Sequence, residues 1–166
     1  MPLIVTYDWY KTEYNGTANE EEFNQHVRMA CKRLINETTG VCGTRKLIEY
    51  FPKNHYDADL VRECACRLVD ISIAIQNAEK SAATASGYVQ RNDGTVMPRM
   101  VSSVSSGSES ISYATGANNA TLFDKAFADK TVQKALYRDA ITEYLSDVKD
   151  ANGINLLYMG QYPKLK

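Results

Sequence analysis

The longest helical pattern in the chain runs from Asp57 to Gly87, and it restricts the fold more than any other feature of the sequence. Asp57 is a suitable N-cap, since its carboxylate can accept backbone N–H groups of the first turn, and Gly87 stands where a left-handed residue commonly ends a helix. Between them apolar residues recur at helical spacing, at Leu60, Val61, Cys64, Leu68, Ile71, Ile75 and Ala78. Such a helix would be roughly 40–45 Å long, so a domain built around it is mainly helical.

A second helix is predicted upstream, before Thr38. Its start has two possible capping boxes, Thr17 with Glu20 or Asn19 with Glu22, and the sequence leaves both open. Its buried face is predicted to hold Phe23, Val27, Cys31, Leu34 and Ile35. Thr38, Thr39 and Gly40 end it. A short helix is predicted within residues 44–51, because Pro52 follows it.

Helical periodicity returns at residue 119 and continues to 149. Asp129-Lys130 either marks a break between a short and a long helix or is solvated surface, and Asn152-Gly153 is a suitable helix stop. We therefore predict a mainly α fold, a small helical bundle with two long helices and an inserted extended β-hairpin or loop arm. The chain is predicted to be one domain, with a helical body at 17–87 and 119–149, a projecting arm at 88–118 and a tail at 150–166.

The arm differs from the helical body in composition, being rich in Ser, Gly and Asn. A disordered linker is one interpretation. The alternating apolar and β-branched residues on both sides of Ser106-Gly107 favour a hairpin or long loop, with Glu109, Ile111 and Tyr113 on one face.

The tail is too short for another helix and too apolar for a free end. An exposed apolar terminus is a liability in a folded protein. We therefore expect residues 154–163 to dock in a strand-like conformation, either on this chain or on a partner.

The composition of the chain mainly excludes classes of partner, location and cofactor. The net charge of −1 gives no bulk attraction to nucleic acid or to an anionic membrane. We expect an intracellular protein, since there is no basic and apolar leader and Asp70 interrupts the most apolar segment. The four cysteines (Cys31, Cys42, Cys64 and Cys66) are then expected to be reduced. Cys64 and Cys66 are two apart on a helix, which separates them, so neither a metal nor another cofactor is predicted.

No catalytic constellation is evident. The chain has two histidines, His26 and His55, and neither accompanies a nucleophile in a recognisable turn. Glycine-rich phosphate-binding motifs are also absent from the sequence. The basic residues are scattered, which argues against sequence-specific DNA binding. We expect that the protein is not an enzyme.

Three segments, in order along nearly the whole chain, carry a resemblance to a known family. The first is T-Y-x-x-Y-K-x-x-Y-x-G-T, here Thr6 to Thr17, followed by E-E-E-F at 20–23. The second is V-x-S-x-S-x-G-S-E-S-I-S-Y, here Val101 to Tyr113, and the third is L-Y-R-x-A-I-x-x-Y-L with G-x-x-L-L-Y-x-G, here 136–145 and 153–160. Together they resemble the head–tail connector, or adaptor, proteins of long-tailed bacteriophages.

The resemblance implies a structural virion protein, assembled in the host cytoplasm and located at the head–tail junction, or neck. Proteins of this family form a ring, typically dodecameric, that docks beneath the portal and extends the DNA channel. The implied partners are other copies of the chain, the portal protein and a head-closure or tail-completion protein. DNA would pass through without sequence-specific binding, and no membrane is involved.

The resemblance also implies candidate contact residues. The arm supplies candidates for the oligomer interface, namely Val101, Val104, Ser108, Glu109, Ser110, Ile111 and Tyr113. The tail supplies candidates for portal binding, namely Leu156, Leu157, Tyr158 and Gly160. Met159 departs from the family pattern, in which a basic residue is frequent, and the residues from Asp150 to Asn152 lengthen the approach to Gly153.

Two alternatives remain open on the sequence. One is a different head-completion or tail-completion ring component. The other belongs to another class, a helical regulatory module that recognises a protein partner by packing a helix into a groove.

Overall fold

The computed structural model describes residues 3–84, 88–90, 96–98, 103–106, 109–112 and 121–163, with side chains for 3–81 and 121–163. The fold is mainly α, as predicted. The helices of this part of the chain are α1 (Tyr7–Thr12), α2 (Glu20–Glu37), α3 (Lys46–Glu49), α4 (His55–Thr84), α5 (Leu122–Ala128) and α6 (Lys130–Leu145). The strands are β1 (Tyr88–Gln90), β2 (Val96–Pro98), β3 (Ser103–Ser106) and β4 (Glu109–Ser112).

The chain divides into two compact units. The first comprises Met1–Ile73 and Lys134–Lys166, and the second comprises Ala74–Gln133. The core of the first unit is formed by apolar side chains of α1, α2, α4, α6 and the tail, among them Val5, Tyr10, Phe23, Val27, Leu34, Val61, Leu68, Val69, Ile71, Ile141, Leu145 and Leu156.

The capping chemistry of α2 selects one of the two predicted frames. The side chain of Asn19 accepts the backbone N–H of Glu22, and the carboxylate of Glu22 accepts the backbone N–H of Asn19. At the other end the hydroxyl of Thr38 donates to the carbonyls of Leu34 and Ile35. The helix therefore begins with a capping box and ends at the predicted threonines.

Helix α4 begins two residues before the predicted N-cap, so the assignment of Asp57 to that position is wrong. The helix starts at His55, and the side chain of Asn54 accepts the backbone N–H of Tyr56 at 3.3 Å. Asn and Asp cap helices about equally well, and the local sequence does not distinguish them. The predicted end at Gly87 lies outside the described residues.

Helix α1 is a helix that the sequence analysis did not predict. The hydroxyl of Thr6 accepts the backbone N–H of Trp9, which caps the first turn. Tyr10, which lies on this short helix, is fully buried. The short helix predicted within residues 44–51 is present but is reduced to one turn, α3.

The strands of the second unit form two separate antiparallel pairs, β1 with β2 and β3 with β4. The inserted hairpin is therefore not confirmed as a single extended element. The remaining residues between 85 and 120, including Val101, Ser108 and Tyr113, lie outside the described part of the chain.

Helices α5 and α6 are separated at Asp129, which has an extended backbone. Of the two readings of Asp129-Lys130, the break is the correct one. The carboxylate of Asp129 accepts the backbone N–H of Thr131 at 2.6 Å, so Asp129 also begins the next helix. Helix α6 ends at Leu145, before the predicted stop at Asn152-Gly153, because the chain turns towards the tail at Val148 and Asp150.

Among the described helices, none combines the length and the low polarity that a membrane crossing needs.

Candidate functional site

The tail docks on its own chain through a buried lysine. Lys46, the first residue of α3, is fully buried. Its ammonium donates to the carbonyls of Asn155 at 3.2 Å and Leu156 at 2.8 Å, and also to the carbonyl of Tyr158. Three carbonyl acceptors within four residues of the tail replace the water that this cation loses. Of the two docking surfaces left open by the sequence, the tail therefore takes the one on this chain.

Two effects act in opposite directions on the pKa of Lys46. Burial lowers the pKa of the ammonium, and the charge of Asp150 raises it. The Tyr158 ring lies 5.9 Å from the ammonium, within the range of a cation–π attraction. The three carbonyl acceptors also favour the charged form.

Asp150 organises the turn from which the tail begins. One carboxylate oxygen accepts the backbone N–H groups of Asn152 at 2.9 Å and Ile154 at 3.0 Å. The other accepts the hydroxyl of Tyr162 at 2.6 Å. Burial and this hydrogen bond raise the pKa of Tyr162 to about 12. The Tyr162 ring also stacks on Tyr50, with the ring centroids 4.9 Å apart.

The four tail residues assigned to portal contacts have different surroundings. Leu156 is buried in the core of the first unit, and its N–H donates to the carbonyl of Val148 at 2.9 Å. Leu157 and Gly160 are half-buried, whereas 48% of Tyr158 is exposed. In this conformation Tyr158 offers the largest contact surface of the four, and Leu156 acts as an internal anchor.

Several apolar side chains are exposed on the docked tail and on the two segments that contact it, the loop at Gly40 and helix α3. A Cβ at Gly40 would lie 3.7 Å from the carbonyl oxygen of Gly160, so the loop that carries Val41 runs beside the tail. Val41 is 81% exposed, Met159 44% and Ile48, on α3, 41%. We call Val41, Ile48, Tyr158 and Met159 the tail surface. Exposed apolar patches of this kind mark protein–protein contact sites.

The arm residues assigned to the oligomer interface are only partly described. In the β3–β4 pair, Val104 stands opposite Ile111, Ser105 opposite Ser110 and Ser106 opposite Glu109. Four of the candidates, Val104, Glu109, Ser110 and Ile111, therefore belong to one antiparallel ladder.

The N-terminal motif of the resemblance surrounds a carboxylate. The hydroxyl of Tyr10 donates to one oxygen of Asp70 at 2.6 Å, and the hydroxyl of Tyr14 donates to the other at 2.9 Å. The pKa values of both tyrosines are raised, mainly by burial, with Asp70 contributing in each case. Both phenols therefore remain protonated donors.

The remaining motif residues hold Tyr10 in place. Gly16 lies against the Tyr10 ring so closely that a Cβ there would be 1.9 Å from Cζ. Asn15 has a positive φ of 56°, which Asn tolerates better than most residues. The ammonium of Lys11 donates to the carbonyl of Gly16 at 2.9 Å. This motif therefore specifies packing inside the chain.

Three of the four cysteines lie in the core. Cys31, Cys64 and Cys66 are buried, and burial raises the pKa of each thiol, to about 12 for Cys64. Within the described ranges, no group of three or more His, Cys, Asp or Glu side chains could hold a metal ion.

Sequence reasoning missed Lys46, Asp70 and Asp150 as organising residues. The partners of Lys46 and Asp70 are 56 or more residues away, so local spacing carried no signal for them. Asp150 could have been found, since an Asp followed two residues later by Asn-Gly is typical of a side-chain-capped turn.

Comparison with known proteins leaves the family open: no family model, curated protein or solved structure matches the chain significantly. The class that the fold defines is a mainly α protein with a tail docked on its own helical unit.

Proposed function

We propose that this protein is a structural protein of a bacteriophage particle, a head–tail connector that oligomerises into a ring beneath the portal and extends the DNA channel towards the tail. The observation that carries the proposal is the tail surface. It combines the segment that the resemblance assigns to portal binding with exposed apolar side chains of the neighbouring loop and of α3. Exposed apolar side chains grouped in this way are typical of protein–protein contact sites.

The N-terminal segment also supports the proposal. Its motif positions are ones that this chain uses for packing, because Tyr10, Tyr14 and Gly16 all belong to the cluster around Asp70. A sequence pattern fixed by core packing is the kind that proteins of one fold can share, so these positions suit the resemblance.

The charge of the chain suits a conduit. A net charge of −1 gives little attraction to the phosphate backbone, so DNA would pass through such a ring without being held. The partners are then other copies of the chain, the portal on one side and a head-closure or tail-completion protein on the other, with the ring located in the neck of the virion.

Light scattering of the purified protein, alone and mixed with the portal protein of the same phage, tests the proposal. We expect a ring, or a monomer that becomes a ring on the portal. Met159→Asp combined with Val41→Asp should abolish portal binding, because two carboxylates on the tail surface would be desolvated in the contact. Leu3→Asp is the matched control, an exposed leucine outside that surface.

A protein that stays monomeric with the portal would overturn the proposal. A helical module that binds another protein partner would then become the better interpretation. Portal binding that survives Met159→Asp with Val41→Asp would mean that the tail surface is not the contact.

A further inference from the structure

A groove with an acidic rim lies between the start of α4 and the end of α6. It encloses about 420 Å³ and is lined by Tyr56, Asp57, Leu60, Glu143, Tyr144, Ser146, Asp147 and Val148. Leu60 and Val148 provide an apolar floor, two tyrosines provide walls, and three carboxylates provide negative charge. We call it the acidic groove.

The exposed face of α2 has the opposite character. From Phe23 to Asn36 this helix contains no Asp or Glu. Its exposed side chains include Arg28 and Lys32, and Met29 between them is 50% exposed. Residues 25, 28, 29 and 32 share one helical face. We call Gln25, Arg28, Met29 and Lys32 the basic face.

Arg33 does not contribute to the basic face. Its guanidinium lies 4.0 Å from the centroid of the Tyr137 ring and donates to the hydroxyl of Ser72 at 3.2 Å. By contrast, no ion pair within the described residues involves Arg28 or Lys32, or any of the three groove carboxylates. Both surfaces therefore carry charge that no ion pair among the described residues neutralises.

We propose that the acidic groove binds the basic face of a second copy of this chain. Arg28 and Lys32 meet the carboxylates of Asp57, Glu143 and Asp147, and Met29 enters the groove above its apolar floor. Met suits such a pocket, because its unbranched side chain adapts to irregular surfaces. The proposal rests on the proposed function and names the contact that builds its ring.

The charges favour the basic face of a second copy over nucleic acid as the occupant. Three carboxylates repel a phosphate backbone, and the tyrosines and apolar floor suit a side chain with carbon atoms. The contact joins two different surfaces and is therefore heterologous, so its repetition produces a closed ring or an open filament. Since the basic face is exposed on its own chain, it does not fill its own groove.

Charge reversal tests the contact. Glu143→Lys with Asp147→Lys gives a groove-reversed protein, and Arg28→Glu with Lys32→Glu gives a helix-reversed protein. Each alone should self-associate about tenfold or more weakly than the wild type, because like charges face each other. Mixing the two should restore association, since every groove then finds a complementary face. All four positions are exposed, so folding should be unaffected, which circular dichroism checks.

Disulfide trapping detects the contact even where association is weak. In a Cys42→Ser background, which removes the exposed thiol, Ser146→Cys places a thiol at the groove and Gln25→Cys places one on the basic face. Neither change alters a charge. We expect a mixture of the two proteins to form the mixed disulfide well above the level of a Ser146→Cys and Glu13→Cys mixture, and groove reversal to abolish it.

The outcomes separate this inference from the proposed function. A mixed disulfide no more abundant than the control, or self-association unchanged by either reversal, would overturn the contact. A ring that still forms on the portal in the groove-reversed protein would also overturn it, while leaving the connector function intact. A wild-type chain that ignores the portal but yields the charge-dependent disulfide would contradict the connector function and support the contact.

Discussion

Replacement of Lys46 by methionine is expected to lower the free energy of unfolding by about 2–4 kcal/mol. Methionine retains most of the buried side-chain volume and removes the ammonium, which donates to three tail carbonyls. A hydrogen bond to a charged group is worth about 1.5–3 kcal/mol. The hydrogen bond from the ammonium to the Leu156 carbonyl is buried. In the methionine variant, residue 46 no longer supplies a donor to that carbonyl. Water can replace the donor at the partly buried Asn155 and Tyr158 carbonyls, and relief of the desolvated charge offsets part of the loss.

Thermal unfolding followed by circular dichroism measures this change, and we expect the midpoint to fall by about 5–15 °C. Hydrogen exchange should locate the loss in the tail amides. Lys53→Met is the control, because Lys53 is exposed and its replacement should change the stability by less than about 0.5 kcal/mol. If Lys46→Met were as stable as this control, the view that the ammonium holds the tail would be refuted.

Three further predictions concern the tyrosine clusters. Asp70→Asn should lower the free energy of unfolding, measured in urea, by about 1–3 kcal/mol, because one of the two tyrosine hydroxyls loses its acceptor. Equal unfolding midpoints for the variant and the wild type would contradict this. Gly16→Ala should lower the free energy of unfolding by about 1–3 kcal/mol in the same assay, because the new methyl group would overlap the Tyr10 ring. Gly40→Ala is the control: the nearest atom to its methyl group would be 3.7 Å away, so the stability should hardly change. Tyr162 has its pKa raised in the folded state to about 12, so its contribution is complete below its unfolded pKa of about 10 and is lost as the pH rises towards 12. Tyr162→Phe should therefore show a smaller loss of stability over that range, and parallel wild-type and variant curves would disprove the assignment.

The helices were largely predictable because their signals are local. A capping box lies within four residues, and apolar spacing repeats within two turns, so α2 and most of α4 could be read from the sequence. Errors occurred where two local signals were equivalent, as for Asn54 and Asp57, and where an element was too short for periodicity, as for α1. The pairing in the arm is also local, because paired residues are at most ten positions apart, but the sequence pattern did not show that the strands form two separate pairs.

The candidate site was less predictable than the helices. The tail sequence indicated docking, but its apolar residues suit a groove on this chain or on a partner equally well. Only the fold places Lys46 beneath the carbonyls of residues 155–158 and turns Leu156 inward, which leaves Tyr158 and Met159 at the surface. The acidic groove and the basic face likewise became surfaces only when α2, α4 and α6 were in place.

By itself, the sequence determined that this protein is mainly helical, where the long helices lie, and that the tail needs to be covered. Those properties follow from caps, periodicity and apolar content, which act over a few residues. The tertiary structure decided that Lys46 and Asp70 are internal organisers and that the tail docks in cis. A buried cation or carboxylate is stable only where the fold supplies its partners, and here those partners are 56 to 112 residues away.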